Sequence, residues 1–435
     1  MKFVKNLPIK KLFLTSFLAY LALIPSGCNL PFVKPPAKEV KLTYWGLFEP
    51  EEVFKPLIEE YQKEHPNVKI EYQQRAYSTL SQHKETLLTR LREGTGPDIF
   101  RIHNTWIPQF AAELAPLPAD VMSSTEFATT FYPSTQSALS YQERLYALPL
   151  MYDGLLLFYN TEHFEDAGID RPPADWEDFR NIAVRLTEVD EETKKITRAG
   201  AAIGTANNVA HFSDILGLMF AQSRINFPTD LTARGARDAL TFYTNFATRD
   251  RVWDASLPYS IDAFARGKVS MVFAPSWRLF EIKSLNPGLK FATAAVPQIP
   301  SLPREEQTTV NWASFWVEAV NQDSPYKREA WEFLKFLSQA ENMRQLYSEE
   351  AKLREFGEPY SRTDLGNVLL THDYLAPLID SASTGTSFII ADAAGNDVYV
   401  EAMAEAVNSV LQEKDVDQAL ETLKNTVERF GEVGQ

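Results

Sequence analysis

Between Val40 and Ile102 the sequence alternates between two hydrophobic periods, and that alternation limits what the chain can build. Val40 to Trp45 is rich in β-formers, and Val53, Phe54, Leu57, Ile58 and Tyr61 then recur at helical spacing. Pro66-Asn67 stops this helix before a second β-rich run, Val68 to Tyr72. A further amphipathic helix carries Leu80, Leu87, Leu88 and Leu91 on one face. It ends at Gly94-Thr-Gly96-Pro97, ahead of a short strand from Asp98 to Ile102. Strands alternating with helices imply an α/β architecture with a parallel sheet covered by helices. The turn-like Tyr146-Ala-Leu-Pro149 and the apolar run Leu155 to Tyr159 mark a crossing into a second, mixed α/β lobe. There, Asp175 is placed to cap a helix, and strands are expected over Val269 to Phe273 and from about Phe291. A loop from Pro297 to Gln307 and a strand over Trp312 to Ala319 follow, and the C-terminal region reads as mainly helical.

The N-terminus obeys a different grammar. Lys2, Lys5, Lys10 and Lys11 precede an apolar run from Leu12 to Ile24, and Pro25-Ser26-Gly27 lead to Cys28, the only cysteine in 435 residues. As a helix that run rises only about 20 Å, short of the roughly 30 Å hydrocarbon core. Residues 1–27 therefore read as a signal peptide, and residues 28–40, with Pro31, Pro35 and Pro36, as an extended tether. Ser26-Gly27-Cys28 resembles the lipobox of bacterial lipoproteins, with one departure: Pro25 stands where that motif has Leu. The resemblance implies that Cys28 is the lipidation site. The mature protein would be exported and anchored by lipid to the outer face of the cytoplasmic membrane, at the cell surface or in the periplasm.

A single cysteine excludes a disulfide framework, so stability outside the cytoplasm must come from a large core. A composition of 45% hydrophobic and 23% charged residues supports one. The net charge of −15 becomes −19 once the four leader lysines are removed. Nucleic acid is thereby excluded as a partner, since phosphate binding needs clustered Lys and Arg. Catalytic motifs are absent: there is no G-x-S-x-G elbow, no H-E-x-x-H and no complete phosphate loop. The six histidines, at 65, 83, 103, 163, 211 and 372, show no metal-ligand spacing. No metal, no cofactor and no enzyme activity are expected.

The order of segments resembles the family 1 extracellular solute-binding proteins, the ABC-transporter receptors of the maltose-binding-protein kind. Leu42-Thr-Tyr-Trp45-Gly, His65-Pro-Asn-Val-Lys-Ile70 and Gly94-Thr-Gly-Pro-Asp98 carry its N-terminal part. Leu145-Tyr-Ala-Leu-Pro149, Leu157-Phe-Tyr-Asn160, Phe164-Glu-Asp-Ala-Gly168 and Pro172-Pro-Ala-Asp-Trp176 carry its centre. Ala263-Phe-Ala-Arg-Gly267, Pro275-Ser-Trp277 and Ala330-Trp-Glu-Phe-Leu-Lys-Phe-Leu337 complete it. The resemblance implies a periplasmic-binding-protein-like type II fold, two α/β lobes joined by a multi-crossing hinge. One lobe would hold residues 41–150 and 291–337, the other 151–290 and 338–430, with crossings near Pro149, Lys290 and Leu337. It also implies a monomer that captures a carbohydrate, most simply an oligosaccharide, by hinge closure and delivers it to ABC permease subunits. Other readings are a polyamine or acidic-sugar receptor, a surface glycan-processing enzyme, or a sensor.

A sugar ring presents an apolar face and a rim of hydroxyls, so its site needs aromatic platforms flanked by polar side chains. The expected binding set is Trp45, Tyr77, His103, Asn104, Trp106, Asp153, Trp277, Asn311 and Trp312, with Trp277 as principal platform. Asn207, Asn208 and Asp214 are candidates for the rim of the second lobe, and Arg75 with Arg101 would mark an acidic ligand. Trp176, Trp253, Trp316 and Trp331 are read as core.

Overall fold

The computed structural model describes residues 38–300 and 309–433, so the leader, Cys28 and most of the tether lie outside the described residues. The N-terminal β-α-β unit forms as its periodicity demands: β1 (Val40–Gly46), α1 (Glu51–Glu64), β2 (Val68–Gln74), α2 (Leu80–Arg92) and β3 (Ile99–His103). Helix α1 buries Val53, Phe54, Leu57, Ile58 and Tyr61, and fully burying each such large side chain is worth about 1.5–3 kcal/mol. Thr79 caps α2 by accepting the Gln82 N–H at 3.1 Å.

After β4 (Ala147–Leu148) the chain passes to β5 (Leu155–Asn160) and α3 (Trp176–Leu186), which Asp175 caps by accepting the Asp178 N–H at 2.8 Å. Helices α4 (Phe212–Gln222) and α5 (Arg234–Thr248), strand β6 (Met271–Pro275), helix α6 (Arg278–Leu285) and strand β7 (Phe291–Ala294) follow. The chain returns through β8 (Asn311–Trp312) to β9 (Trp316–Val320), α7 (Lys327–Leu337) and α8 (Ala340–Glu350). Strand β10 (Gly385–Thr386) then leads to α9 (Asp397–Leu411) and α10 (Val416–Val433), which pack on each other and on α5.

Two sheets organise these elements. The first has the order β2-β1-β3-β9-β4, with β1 parallel to β2 and β3 but β9 antiparallel to both β3 and β4. The second, β6-β5-β7, is antiparallel throughout. A wholly parallel sheet was the simplest reading of the alternation. It holds only for β1 to β3, because a strand that returns from the other lobe enters from the opposite end.

Other placements also differ from expectation. Phe291–Ala294 pairs with β5 in the second sheet rather than beside β1 to β3, so the return crossing follows Ala294, not Lys290. Helix α8 packs against α1, so residues just past Leu337 stay with the first sheet. The single strand expected over Trp312 to Ala319 splits, because Asn311 and Trp312 pair with β10 while Trp316 to Val320 pair with β3. These connecting strands lie close together. A Cβ on Gly154 would stand 2.2 Å from the Trp312 carbonyl oxygen, so only glycine fits there. Among the described residues no helix is long and apolar enough to cross a membrane.

Candidate ligand-binding cleft

The first sheet's strands end in a row of aromatic residues. Phe48, just past β1, meets Tyr77, just past β2, edge-on at 6.5 Å, and Trp316, at the start of β9, at 5.1 Å. Trp316 also stands edge-on to His103 at 5.2 Å. Beside this row the Arg75 guanidinium lies 4.3 Å over the Trp45 ring. The second sheet contributes Trp277, which follows β6. Arg278 lies 4.3 Å over its ring, and His211 meets it edge-on at 5.9 Å. Among the described residues the exposed aromatic side chains are Phe48 (38%), Tyr77 (36%), Tyr259 (43%) and Trp277 (38%). Two stand at strand ends of the first sheet, and the other two lie beside the Arg278 guanidinium in the second lobe. An exposed apolar ring loses water contact only when something covers it, so an exposed aromatic pair on each lobe points to a ligand.

A chain of hydrogen bonds joins the two walls at the hinge. His103 Nε2 lies 3.1 Å from Ser314 Oγ, and the Ser314 N–H donates to the Asp153 carbonyl at 2.9 Å. The Asp153 carboxylate accepts the Gly154 N–H at 2.7 Å and both the N–H and hydroxyl of Ser276 at 3.0 Å. Burial pushes the Asp153 carboxyl up to about 7, against the pull of those backbone donors. Burial, with Lys84 adding to it, holds His103 neutral by lowering it to about 3. Both groups thus act as hydrogen-bonding anchors of the floor rather than as free charges.

The second lobe's rim is built around His211, a non-glycine residue held at φ 58° just before α4. Such a left-handed residue costs about 1–3 kcal/mol, and here its contacts hold it there. Its N–H donates to Asp392 Oδ2 at 2.9 Å, Nδ1 lies 2.9 Å from Asp214 Oδ2, and Arg278 Nε lies 3.1 Å from Nε2. Tyr259 joins this rim, its hydroxyl raised by burial and drawn back by the Arg278 guanidinium.

Several residues of the expected set stand elsewhere. Trp106 has no exposed surface and donates Nε1–H to the Ala394 carbonyl at 2.7 Å, so no ring face is open for stacking. Trp312 is 1% exposed, donates to Asp214 Oδ1 at 2.7 Å, and fills the space beside Gly217. A Cβ on Gly217 would stand 2.5 Å from its Cη2. Asn104 is buried between Ser387 Oγ and the Phe315 N–H, and Asn311 donates to Thr384 Oγ1 at 2.7 Å. These four tie residues 104–106 and β8 to the 384–394 stretch and to α4. Asn208 is likewise internal, bonded to Thr205, Trp253 and the Asp254 and Leu257 carbonyls, whereas Asn207 is exposed and meets Asn408. Arg101 is fully buried between Glu49 and Glu318, which removes it from any pair with Arg75. Trp176, Trp253 and Trp331 are core, but Trp316 is only partly buried and belongs to the wall. Phe48, Tyr259, Arg278, His211 and Asp392 are additions. Phe48 and Arg278 were reachable by extending the strand ends a few residues, whereas Tyr259 carries no local signal.

Among the described residues no group of three or more His, Cys, Asp or Glu is placed to hold a metal ion. Two α/β lobes joined by crossing strands, with an aromatic cleft at the strand ends, define a hinged solute receptor. The family profile described as bacterial extracellular solute-binding protein matches residues 47–344, and the chain belongs to that family. A putative binding protein of Brucella abortus (strain 2308) is 24% identical over 66% of this chain and 68% of its own length. The maltotriose-binding protein of Pyrococcus abyssi is 22% identical over 70% of this chain and 64% of its own length. Among solved structures, the sugar-binding protein MalE from Xanthomonas citri superposes with a TM-score of 0.73 at 18% identity. It covers 91% of this chain and 100% of that one.

Proposed function

We propose that this protein is the substrate-binding component of an ABC importer and captures a carbohydrate, most simply an oligosaccharide, between its lobes. The observation that carries the reading is an exposed aromatic pair on each lobe, Phe48 with Tyr77 at strand ends of the first sheet and Trp277 with Tyr259 beside Arg278. Sugar names among its relatives support it. Trp277, with Phe48 and Trp316 in the other wall, would stack on ring faces. Arg75, Arg278, Asp392 and Tyr259 would meet hydroxyls. The first lobe would comprise residues 40–150 and 314–350, the second 155–294 and 397–433. Cys28 would be the lipid attachment point, tethering a monomeric receptor at the outer face of the cytoplasmic membrane beside its permease. The protein would act without catalysis. A solute bearing an acidic group is the second reading, favoured by Arg75 and Arg278, each 4.3 Å over a cleft tryptophan.

Calorimetric titration against neutral and uronate-containing oligosaccharides tests both readings, with scattering measured at saturation. Expected are saturable binding, a smaller radius of gyration, and oligosaccharide recovered intact. A panel in which no carbohydrate binds, or in which it is cleaved, defeats the proposal.

A further inference from the structure

His211 touches both parts of the Trp277 platform. Its ring stands edge-on to the indole at 5.9 Å, and its Nε2 lies 3.1 Å from the Nε of Arg278, whose guanidinium covers the indole at 4.3 Å. An arginine Nε–H can only donate, so His211 Nε2 must accept. The imidazole hydrogen then sits on Nδ1, which faces Asp214 Oδ2 at 2.9 Å. Asp214 demands the same arrangement from the other side. Its Oδ1 already receives the Trp312 Nε1–H at 2.7 Å and the Asp392 N–H at 3.1 Å, which leaves Oδ2 to receive the imidazole. Only a neutral ring with its hydrogen on Nδ1 satisfies both ends, because the other tautomer and the imidazolium each set an N–H against that of Arg278.

We propose that His211 is a positioning residue for the solute platform: with its tautomer fixed by Asp214, it presents a rigid acceptor that holds the Arg278 guanidinium over Trp277. The inference rests on the reading of Trp277 as that platform and adds what sets its shape. The other partners of the guanidinium are less fixed. Glu281 lies one turn along the same helix with 40% of its side chain exposed, and Tyr259 is 43% exposed; exposed partners of that kind hold little. His211 is 1% exposed and is pinned by its own N–H to Asp392 Oδ2 at 2.9 Å. A left-handed backbone at a residue other than glycine persists where surrounding contacts over-determine it, as at φ 58° here. Glycine would suit that backbone and leave Arg278 without its buried acceptor.

Two variants separate positioning from packing. Asn suits the left-handed backbone better than Gln, and its amide can replace Nδ1 at Asp214 but is too short to reach Arg278 as Nε2 does. Gln is strained there, yet its carbonyl oxygen reaches the place of Nε2. The mature protein is therefore expected to melt higher as His211→Asn than as His211→Gln, while positioning follows the opposite order. Positioning is read without solute, as acrylamide quenching of Trp277, isolated by subtracting the same protein carrying Trp277→Phe. The Trp277 component is expected to rise about twofold in His211→Asn as the guanidinium leaves the ring, and to return close to the wild-type value in His211→Gln.

The tautomer is read directly in wild-type protein with its histidine nitrogens isotopically labelled. The magnetic-resonance signal that disappears in either variant is expected to be that of a neutral ring protonated at Nδ1. No rise in His211→Asn overturns the proposal. So does quenching that simply follows stability, greater in His211→Gln than in His211→Asn, and so does a His211 signal protonated at Nε2. The labelled protein decides the matter even if His211→Asn impairs folding, since His211→Gln identifies the same signal. Neither measurement involves a carbohydrate, so failure of the oligosaccharide panel would end the proposed function and leave this result standing.

Discussion

Trp312→Ala is expected to cripple folding while leaving the sugar platform intact. The indole is 1% exposed, packs beside Gly217, and donates Nε1–H to the buried Asp214. Removing a buried tryptophan ring costs about 3–5 kcal/mol. Taking one donor from a buried carboxylate adds about 1 kcal/mol, near the low end of its range, because Asp214 Oδ1 also accepts the Asp392 N–H at 3.1 Å. The sum, roughly 4–6 kcal/mol, approaches the whole stability of a typical domain. Trp312→Phe keeps most of the filling and loses the donor, for about 1–3 kcal/mol. Urea unfolding of both variants, with calorimetric titration of whatever remains folded, separates the roles. A Trp312→Ala protein within about 1 kcal/mol of wild type that had lost its solute would refute the assignment to the hinge interior.

Trp277→Ala should show the opposite profile, with normal melting and an affinity lowered by about 2 kcal/mol, roughly 30-fold, in the same titration. The Asp153 carboxyl, raised by burial to about 7, keeps a proton in the folded state that the unfolded chain releases near 4. Stability is therefore expected to fall as pH rises from about 4 to about 7, by at most about 4 kcal/mol from this group. Asp153→Asn should flatten that part of the urea-midpoint profile, and an unchanged slope would count against it. Cys28→Ser should release the protein from the membrane fraction or stall it as precursor. Full membrane retention of a cleaved Cys28→Ser protein would rule out the lipid anchor.

Much of the fold was legible because periodicity is local. Val53 to Tyr61 and Leu80 to Leu91 declare their helices without reference to anything distant, and Asp175 caps its helix from three residues away. Trp277 could be read as exposed because Pro275 and Ser276 end a strand beside it. Trp106 and Trp312 could not be separated from it by local context. What buries them is Ala394, 288 residues on, and Asp214, 98 residues back. Trp316 erred the other way, since its neighbours in sequence are core while its neighbours in space are His103 and Phe48. The second sheet's antiparallel order was hidden for the same reason: strand direction belongs to the path of the whole chain.

The bonded chain His103–Ser314–Asp153–Ser276 has a mechanical consequence. It lies where the chain crosses between the lobes, with Trp316 two residues from one link and Trp277 one residue from another. In a hinge closure, points near that crossing would travel little, whereas Tyr77, separated from Trp316 by the Phe48 ring, would sweep a longer arc for the same rotation. A short solute seated at the floor would feel nearly the same surroundings before and after closure. A longer one, reaching outward to Tyr77, would gain contacts only as the jaws come together, so chain length itself would become a quantity the receptor can measure.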